Sequence, residues 1–257
     1  MPPTASPLYA SALFQRIAGG TWRPGGTELT RHGLDLCAFA PGSDILDVGC
    51  GQGASLAELR QRGLNGIGLD RECALAEPFP FVQADAQDPP FPDGSFDGIL
   101  CECVLSLLPD TAQALRRFAA LLRPEGRLLL SDLYVRSTVA QPVEQDHGAS
   151  CLAGARPKQE LEKLIIESGF VLLHFEDHTA RLKELAARLI WYGDDELRRR
   201  MDGNSTPGAD APRAAGSCAC RATRPGGPRF GYGLWIAAPA RRITTAAPLQ
   251  MKQGDFA

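Results

Sequence analysis

Short apolar runs alternate with amphipathic stretches between residues 43 and 178. The apolar runs fall at 44–48, 66–70, 81–84, 96–100, 126–130 and 170–174. Helical periodicity separates them at 55–62, 111–122 and 158–168. Strands that alternate with helices predict a mostly parallel sheet covered on both faces. A further helix is expected at 179–197, with apolar positions Leu182, Leu185, Ala186 and Leu189. The run at 230–238 reads as a last strand. Residues 201–229 are rich in Gly, Pro, Ala and Arg and are expected to form a loop. The pattern divides the chain into an N-terminal helical or lid segment (1–42), a core (43–178), a segment completing the domain (179–240) and a tail (241–257).

Composition adds only exclusions. The chain has 257 residues, 44% of them hydrophobic and 22% charged, which is inconsistent with wholesale disorder. A net charge of −3 supplies no global basic field, so neither nucleic acid nor a membrane surface is an expected partner. No apolar run approaches the roughly 20 residues that span a bilayer. The first residues lack a basic region followed by an apolar core, so no signal peptide is read there. A cytoplasmic location is therefore expected, as a monomer or homodimer, with the eight cysteines kept as thiols.

The most informative segment is Ile45-Leu-Asp-Val-Gly-Cys-Gly-Gln-Gly53, a buried strand that runs into a glycine-rich turn before a helix. Glycines at 49, 51 and 53 let backbone approach a ligand at the carboxyl end of the strand. The next strand ends at Asp70, where a carboxylate can accept hydrogen bonds from ribose hydroxyls. The third ends in Ala84-Asp85-Ala86, where a carboxylate can take a proton from an adenine amino group. A nicotinamide-binding domain is the rival reading, but the turn lacks the Gly-x-Gly-x-x-Gly spacing that seats a pyrophosphate. Upstream, Trp22 to Thr30 precedes a helix expected at 31–39. Its two glycines read either as a lid over the pocket or as a plain turn with Thr27 as N-cap.

Taken together, these motifs resemble the class I methyltransferases that use S-adenosylmethionine (SAM). The resemblance implies a Rossmann-like α/β fold, a seven-stranded sheet that is mostly parallel with a reversed last strand and has helices on both faces. It also implies SAM as cofactor and a small-molecule methyl acceptor. The cofactor contacts it suggests are Asp47, Gly49, Cys50, Gly51, Gly53, Asp70, Asp85, Ala86 and Cys101.

A second set of segments is similar to the arsenite methyltransferases. These are Glu102-Cys103-Val104 after the fourth strand, Ser131-Asp132-Leu133-Tyr134 after the fifth, and Ser150 to Ala155 before the 158–168 helix. By that resemblance Cys103 and Cys151 would be catalytic thiolates that ligate trivalent arsenic, a soft centre that prefers sulfur. Cys218 and Cys220 would be further substrate contacts from a loop. Strand alternation can place Cys101 on the face of Cys103. No resident metal is expected. Two alternatives stand beside arsenite: O-, N- or C-methylation of an ordinary metabolite with cysteines as lining, and a non-catalytic thiol or metalloid sensor on the same fold. His147 is a candidate general base or a solvated loop residue, and Trp191-Tyr192 a roof or packing.

Overall fold

A computed structural model of the chain describes residues 21, 23–72, 75, 78–136, 151–152, 154–192 and 229–240. The elements are α1 (Gly26–Cys37), β1 (Asp44–Val48), α2 (Ala54–Gln61), β2 (Asn65–Asp70), β3 (Phe81–Gln83), β4 (Phe96–Glu102), α3 (Thr111–Leu121), β5 (Leu122–Val135), β6 (Arg156–Pro157), α4 (Lys158–Glu167), β7 (Phe170–Asp177), α5 (Thr179–Tyr192) and β8 (Phe230–Pro239). A 3-10 turn at Leu105–Leu107 follows β4.

The main sheet has the order β3-β2-β1-β4-β5-β8-β7, with two-residue β6 pairing beside β5. β1 to β5 pair in parallel, while β8 runs antiparallel to both β5 and β7. This is the expected sheet with a reversed last strand. Because β8 sits between β5 and β7, residues 230–239 are internal to the sheet and not an appendage. The reversal at β1/β4 opens a crevice at the carboxyl ends of the strands, the usual ligand position in open α/β sheets.

Alternation along the strands explains how both faces are buried. Leu46, Val48, Ile99, Cys101, Leu128, Leu130 and Trp235 face α3 and α4, where they pack with Leu115, Phe118, Leu161 and Ile165. Ile45, Leu100, Leu129, Leu133, Tyr232 and Leu234 face the other way and pack with Leu29 and Leu34 of α1 and Leu56 and Leu59 of α2. No helix among the described residues is long and apolar enough to cross a membrane.

Three elements depart from the expectation. The helix expected at 31–39 begins at Gly26 and ends at Cys37. Its N-cap is Gly25 in the left-handed region, so Thr27 lies inside the helix and does not cap it. β5 begins at Leu122, the last residue of the expected helix and ahead of the strand expected from 126. Leu122 pairs with Phe96 before a register shift, so the strand starts early and then bulges. Of the helix expected at 179–197, Thr179–Tyr192 is observed and the rest lies outside the described residues. The loop expected at 201–229 also lies outside them, apart from Arg229.

Phe118 is fully buried between α3 and the sheet. Phe118→Ala is expected to cost about 3–5 kcal/mol in urea unfolding. A loss below about 1 kcal/mol would show that this face does not pack as one core.

Candidate active site

The glycine turn after β1 is held by the end of β2. Gly49 and Cys50 both donate to the Leu69 carbonyl, at 2.7 and 3.3 Å, and Gly53 donates to Cys50 at 2.8 Å. Asp70 then joins the two strand ends. Its Oδ2 accepts from the Gly51 amide at 3.0 Å and its Oδ1 from the Glu72 amide at 3.1 Å. Gly49 and Gly51 have φ of 69° and 49°, which side chains rarely adopt. A Cβ on Gly49 would also meet Val104 Cγ2 at 2.2 Å, whereas one on Gly51 would find nothing within 4 Å. Thus Gly49 is needed for packing and conformation, and Gly51 borders open space.

Beneath the turn lies a buried polar cluster that was not read from the sequence as a unit. Glu102, at the end of β4, is nearly inaccessible. Its carboxylate accepts from Thr30 Oγ1 (3.0 and 3.2 Å) and Ser55 Oγ (2.8 Å) and pairs with Arg23 Nη2 at 3.0 Å. Arg23 also donates to Thr30 Oγ1 at 2.5 Å and to Ser55 Oγ at 2.9 Å. Burial works against the Arg23 charge, but Glu102, with Tyr232, Asp47 and Cys103 adding to it, holds the guanidinium above its usual range. The segment preceding α1 is therefore tied through Arg23 to the ends of β4 and α2.

Among the described residues, two buried atoms of this cluster find no hydrogen-bond partner, Asp47 Oδ2 and Arg23 Nε. Asp47 is 3% exposed. Burial and the neighbouring Glu102 push its carboxyl up to about 8, partly offset by Arg23. Native proteins seldom leave such groups unpaired, because each costs about 1–3 kcal/mol.

On the other side of Glu102, Cys103 takes a positive φ of 58°. Its amide donates to the Ser131 carbonyl at 2.7 Å. Its Sγ lies 3.2 Å from the Tyr232 hydroxyl, which donates to Ser131 Oγ at 3.0 Å. Burial pushes both the Cys103 thiol and the Tyr232 hydroxyl up, so both stay protonated at neutral pH. Asp132, one residue along β5, accepts from Ser106 N and Oγ and from Leu133 N, at 2.9, 2.7 and 2.7 Å. Burial raises it to about 6 against those bonds. It fixes the 3-10 turn that carries Ser106.

The remaining residues singled out from sequence divide into three groups. Cys103 and Cys151 are both half-buried and border the same apolar cluster on the α1/α2 face. Cys101 does not join them. It is fully buried on the α3/α4 face, because the turned backbone at Cys103 breaks the alternation that would have aligned the two. Cys50 is buried behind the glycine turn, against Gly68. Asp85 closes a small turn after β3 by accepting from the Gln87 amide at 2.8 Å, with Ala86 buried beside it. Cys218, Cys220, Cys73 and His147 lie outside the described residues. Among the described residues, Cys103 and Cys151 meet no third Cys, His, Asp or Glu at metal-ligand spacing. Trp191 is 77% exposed.

Arg23, Ser55 and Tyr232 were missed as site residues. Arg23 reaches Glu102 across 79 residues of sequence and Tyr232 reaches Cys103 across 129. No local spacing announces either pairing.

Residues 46–130 match the family described as "Methyltransferase domain". The O-methyltransferase rstn1 of Aspergillus nomiae is 30% identical over 198 residues, covering 66% of this chain and 88% of that protein. Nocamycin O-methyltransferase of Saccharothrix syringae is 36% identical over 142 residues (46% of this chain, 49% of that one). An arsenite methyltransferase of Aquipseudomonas alcaligenes is 33% identical over 162 residues (54% and 47%). The chain thus spans about half the length of some of the curated relatives it matches. A phosphoethanolamine N-methyltransferase 2 of Haemonchus contortus, solved with SAM, aligns with a TM-score of 0.65 at 18% identity, over 89% of this chain and 56% of that one. The [4+2]-cyclase SpnF aligns with a TM-score of 0.69 at 20% identity, over 90% and 93%. At such identities these likenesses show the fold alone. The sequence matches go further: the chain belongs to the class I SAM-dependent methyltransferases, and SAM is its cofactor.

Removing one member of a buried ion pair leaves the other charge uncompensated. Glu102→Ala is therefore expected to lose about 3–5 kcal/mol of stability in chemical denaturation. The double variant Arg23→Met/Glu102→Leu is expected to lose less than the single one. A loss in the double variant equal to the sum of the two single losses would show that the pair carries no coupling.

Proposed function

We propose that this chain transfers the SAM methyl group to an oxygen or nitrogen of a small-molecule acceptor. The observation that carries the reading is that two buried polar atoms, Asp47 Oδ2 near the end of β1 and Arg23 Nε, find no hydrogen-bond partner among the described residues. One is an acceptor and the other a cationic donor, which suits the ammonium and carboxylate of an amino acid such as the methionine end of SAM. A Cβ at Gly51 would meet nothing within 4 Å, so the turn borders open space. In this reading Asp70 holds the ribose hydroxyls, with its carboxylate already oriented by Gly51 and Glu72. Asp85 and Ala86 border the adenine, and Gly49 and Gly53 shape the turn.

SAM supplies an activated methyl that an in-line lone pair can take. The residues around Cys103 would position the acceptor, and positioning of this kind can be worth roughly 7–11 kcal/mol. Cys103, half-buried, would line the acceptor position, held there by its contact with the Tyr232 hydroxyl, which itself donates to Ser131. O-methyltransferases and N-methyltransferases match over similar shares of the chain, up to 66% and 68%, so oxygen and nitrogen both stand as the receiving atom.

Arsenite is the second reading. Cys103 and Cys151 border one cluster, and an arsenite methyltransferase is among the relatives. Each As–S bond would form by condensation of a thiol with an As–OH group, releasing water. The third sulfur would come from Cys218 or Cys220.

Labelled SAM with reduced protein separates the two. Methylated phenols, alcohols or amines from wild type and Cys151→Ser alike would support the first reading. Methylated arsenic from wild type but not from Cys151→Ser would transfer the assignment to the second. Asp70→Ala is expected to weaken SAM binding tenfold or more, and unchanged affinity would overturn the ribose assignment.

Asp47 also makes a pH prediction. With its carboxyl pushed up to about 8, it is mostly protonated at pH 7 before SAM binds. An ammonium beside it favours the ionised form. SAM binding at pH 7 is therefore expected to release close to one proton, and affinity should rise with pH up to about 8. Calorimetry in buffers of different ionisation enthalpy checks this. Equal heats in all buffers, or proton release that persists in Asp47→Asn, would contradict the assignment.

A further inference from the structure

Three of the chain's four histidines converge on one carboxylate. Glu176 Oε2 lies 2.7 Å from His32 Nε2 and 2.9 Å from His178 Nε2, and its Oε1 lies 2.8 Å from His174 Nε2. The ligand atoms of His32, Glu176 and His178 all fall within 4.8 Å of one another. The His32 and His178 rings meet edge to face at 5.9 Å. All of these side chains are partly exposed, so an ion can reach them.

The cluster is assembled by topology. A register shift in β7 between Leu172 and His174 turns His174 and Glu176 to the face that α1 covers, while Phe175 packs on the opposite face. His178 follows at the β7–α5 corner, and His32 comes from the middle of α1. Arg181 of α5 adds an ion pair to Glu28 of α1 at 3.2 Å.

We propose that His32, Glu176 and His178 bind a divalent transition ion of the zinc class, which clips α1 to the β7–α5 corner. Two imidazoles and a carboxylate are a common donor set for such ions and a poor one for magnesium or calcium, which take oxygen ligands. His174, on the other carboxylate oxygen, orients Glu176 in the way that outer hydrogen bonds orient metal ligands. A fourth position is left for water or another ligand. Each ligating imidazole must carry its remaining proton on Nδ1, so Nε2 exchanges a hydrogen bond to Glu176 for the metal.

The clip would act on the site. α1 carries Thr30, which binds Glu102 and Arg23, and His178 donates its amide to the Tyr232 carbonyl at 2.7 Å. The ion would thus stiffen both α1 and the strand that presents the Tyr232 hydroxyl.

The test is titration of the reduced full chain with Zn²⁺ against a chromophoric chelator, with Co²⁺ as a spectroscopic probe. The proposal expects one site whose affinity falls at least tenfold in His32→Ala and in His178→Ala, is less affected in His174→Ala, and is unchanged in His147→Ala. The corresponding Co²⁺ band should lack sulfur-to-cobalt charge transfer, which separates this site from binding at the thiols. Zinc should raise the melting temperature of wild type but not of His32→Ala, which is expected to fold because His32 is 44% exposed on its helix. Absence of binding, affinity unaltered by both His32→Ala and His178→Ala, or a thiolate spectrum for the only site would overturn it. None of these readouts depends on methyl transfer.

Discussion

The carboxylate of Glu102 is the constraint on which the site depends. It ends β4 in a nearly water-free position and gathers Arg23 from the segment before α1, Thr30 from α1 and Ser55 from α2. A carboxylate buried without these donors would be strongly disfavoured. Once Glu102 is fixed by the core strand, the covering elements must come to it. Burial chiefly, with the same carboxylate adding to it, raises Asp47.

That arrangement divides the work between rigid and adjustable parts. The glycine turn is rigid, held by Leu69 from below and by Asp70 from the side. The far side is held by a chain from Cys103 through Tyr232 to Ser131, which spans β4, β8 and β5. A reversed β8 is what brings Tyr232 into this chain, so the antiparallel insertion contributes to the site as well as to sheet closure. The thiol and hydroxyl there are kept protonated by burial, and the hydroxyl spends its proton on Ser131. The likeness of the overall fold to a cyclase as well as to a methyltransferase is consistent with such sites being defined by side chains and not by topology.

The cysteines illustrate what spacing can and cannot deliver. Cys101 and Cys103 are two apart, and a regular strand would align them. A single residue with φ of 58° sends them to opposite faces of the sheet. Cys103 and Cys151 were paired by motif, and they do border one cluster. A similar shift in β7 decides the histidine cluster, where one bulge moves His174 and Glu176 to the face of α1.

Local physics was sufficient for the strands, most helices and the cofactor turn. Period-two and period-3.6 burial and left-handed glycines act over a few residues, so they can be read along the chain. The segments at 44–53 and 65–70 therefore announced both the sheet and its ligand end. Tertiary structure alone decided the partners of Glu102, the Tyr232–Cys103 contact, the side of the sheet on which Cys101 lies and the meeting of His32 with Glu176 and His178. These join residues tens to more than a hundred positions apart, and their energies come from burial, which exists only after the sheet has closed around them.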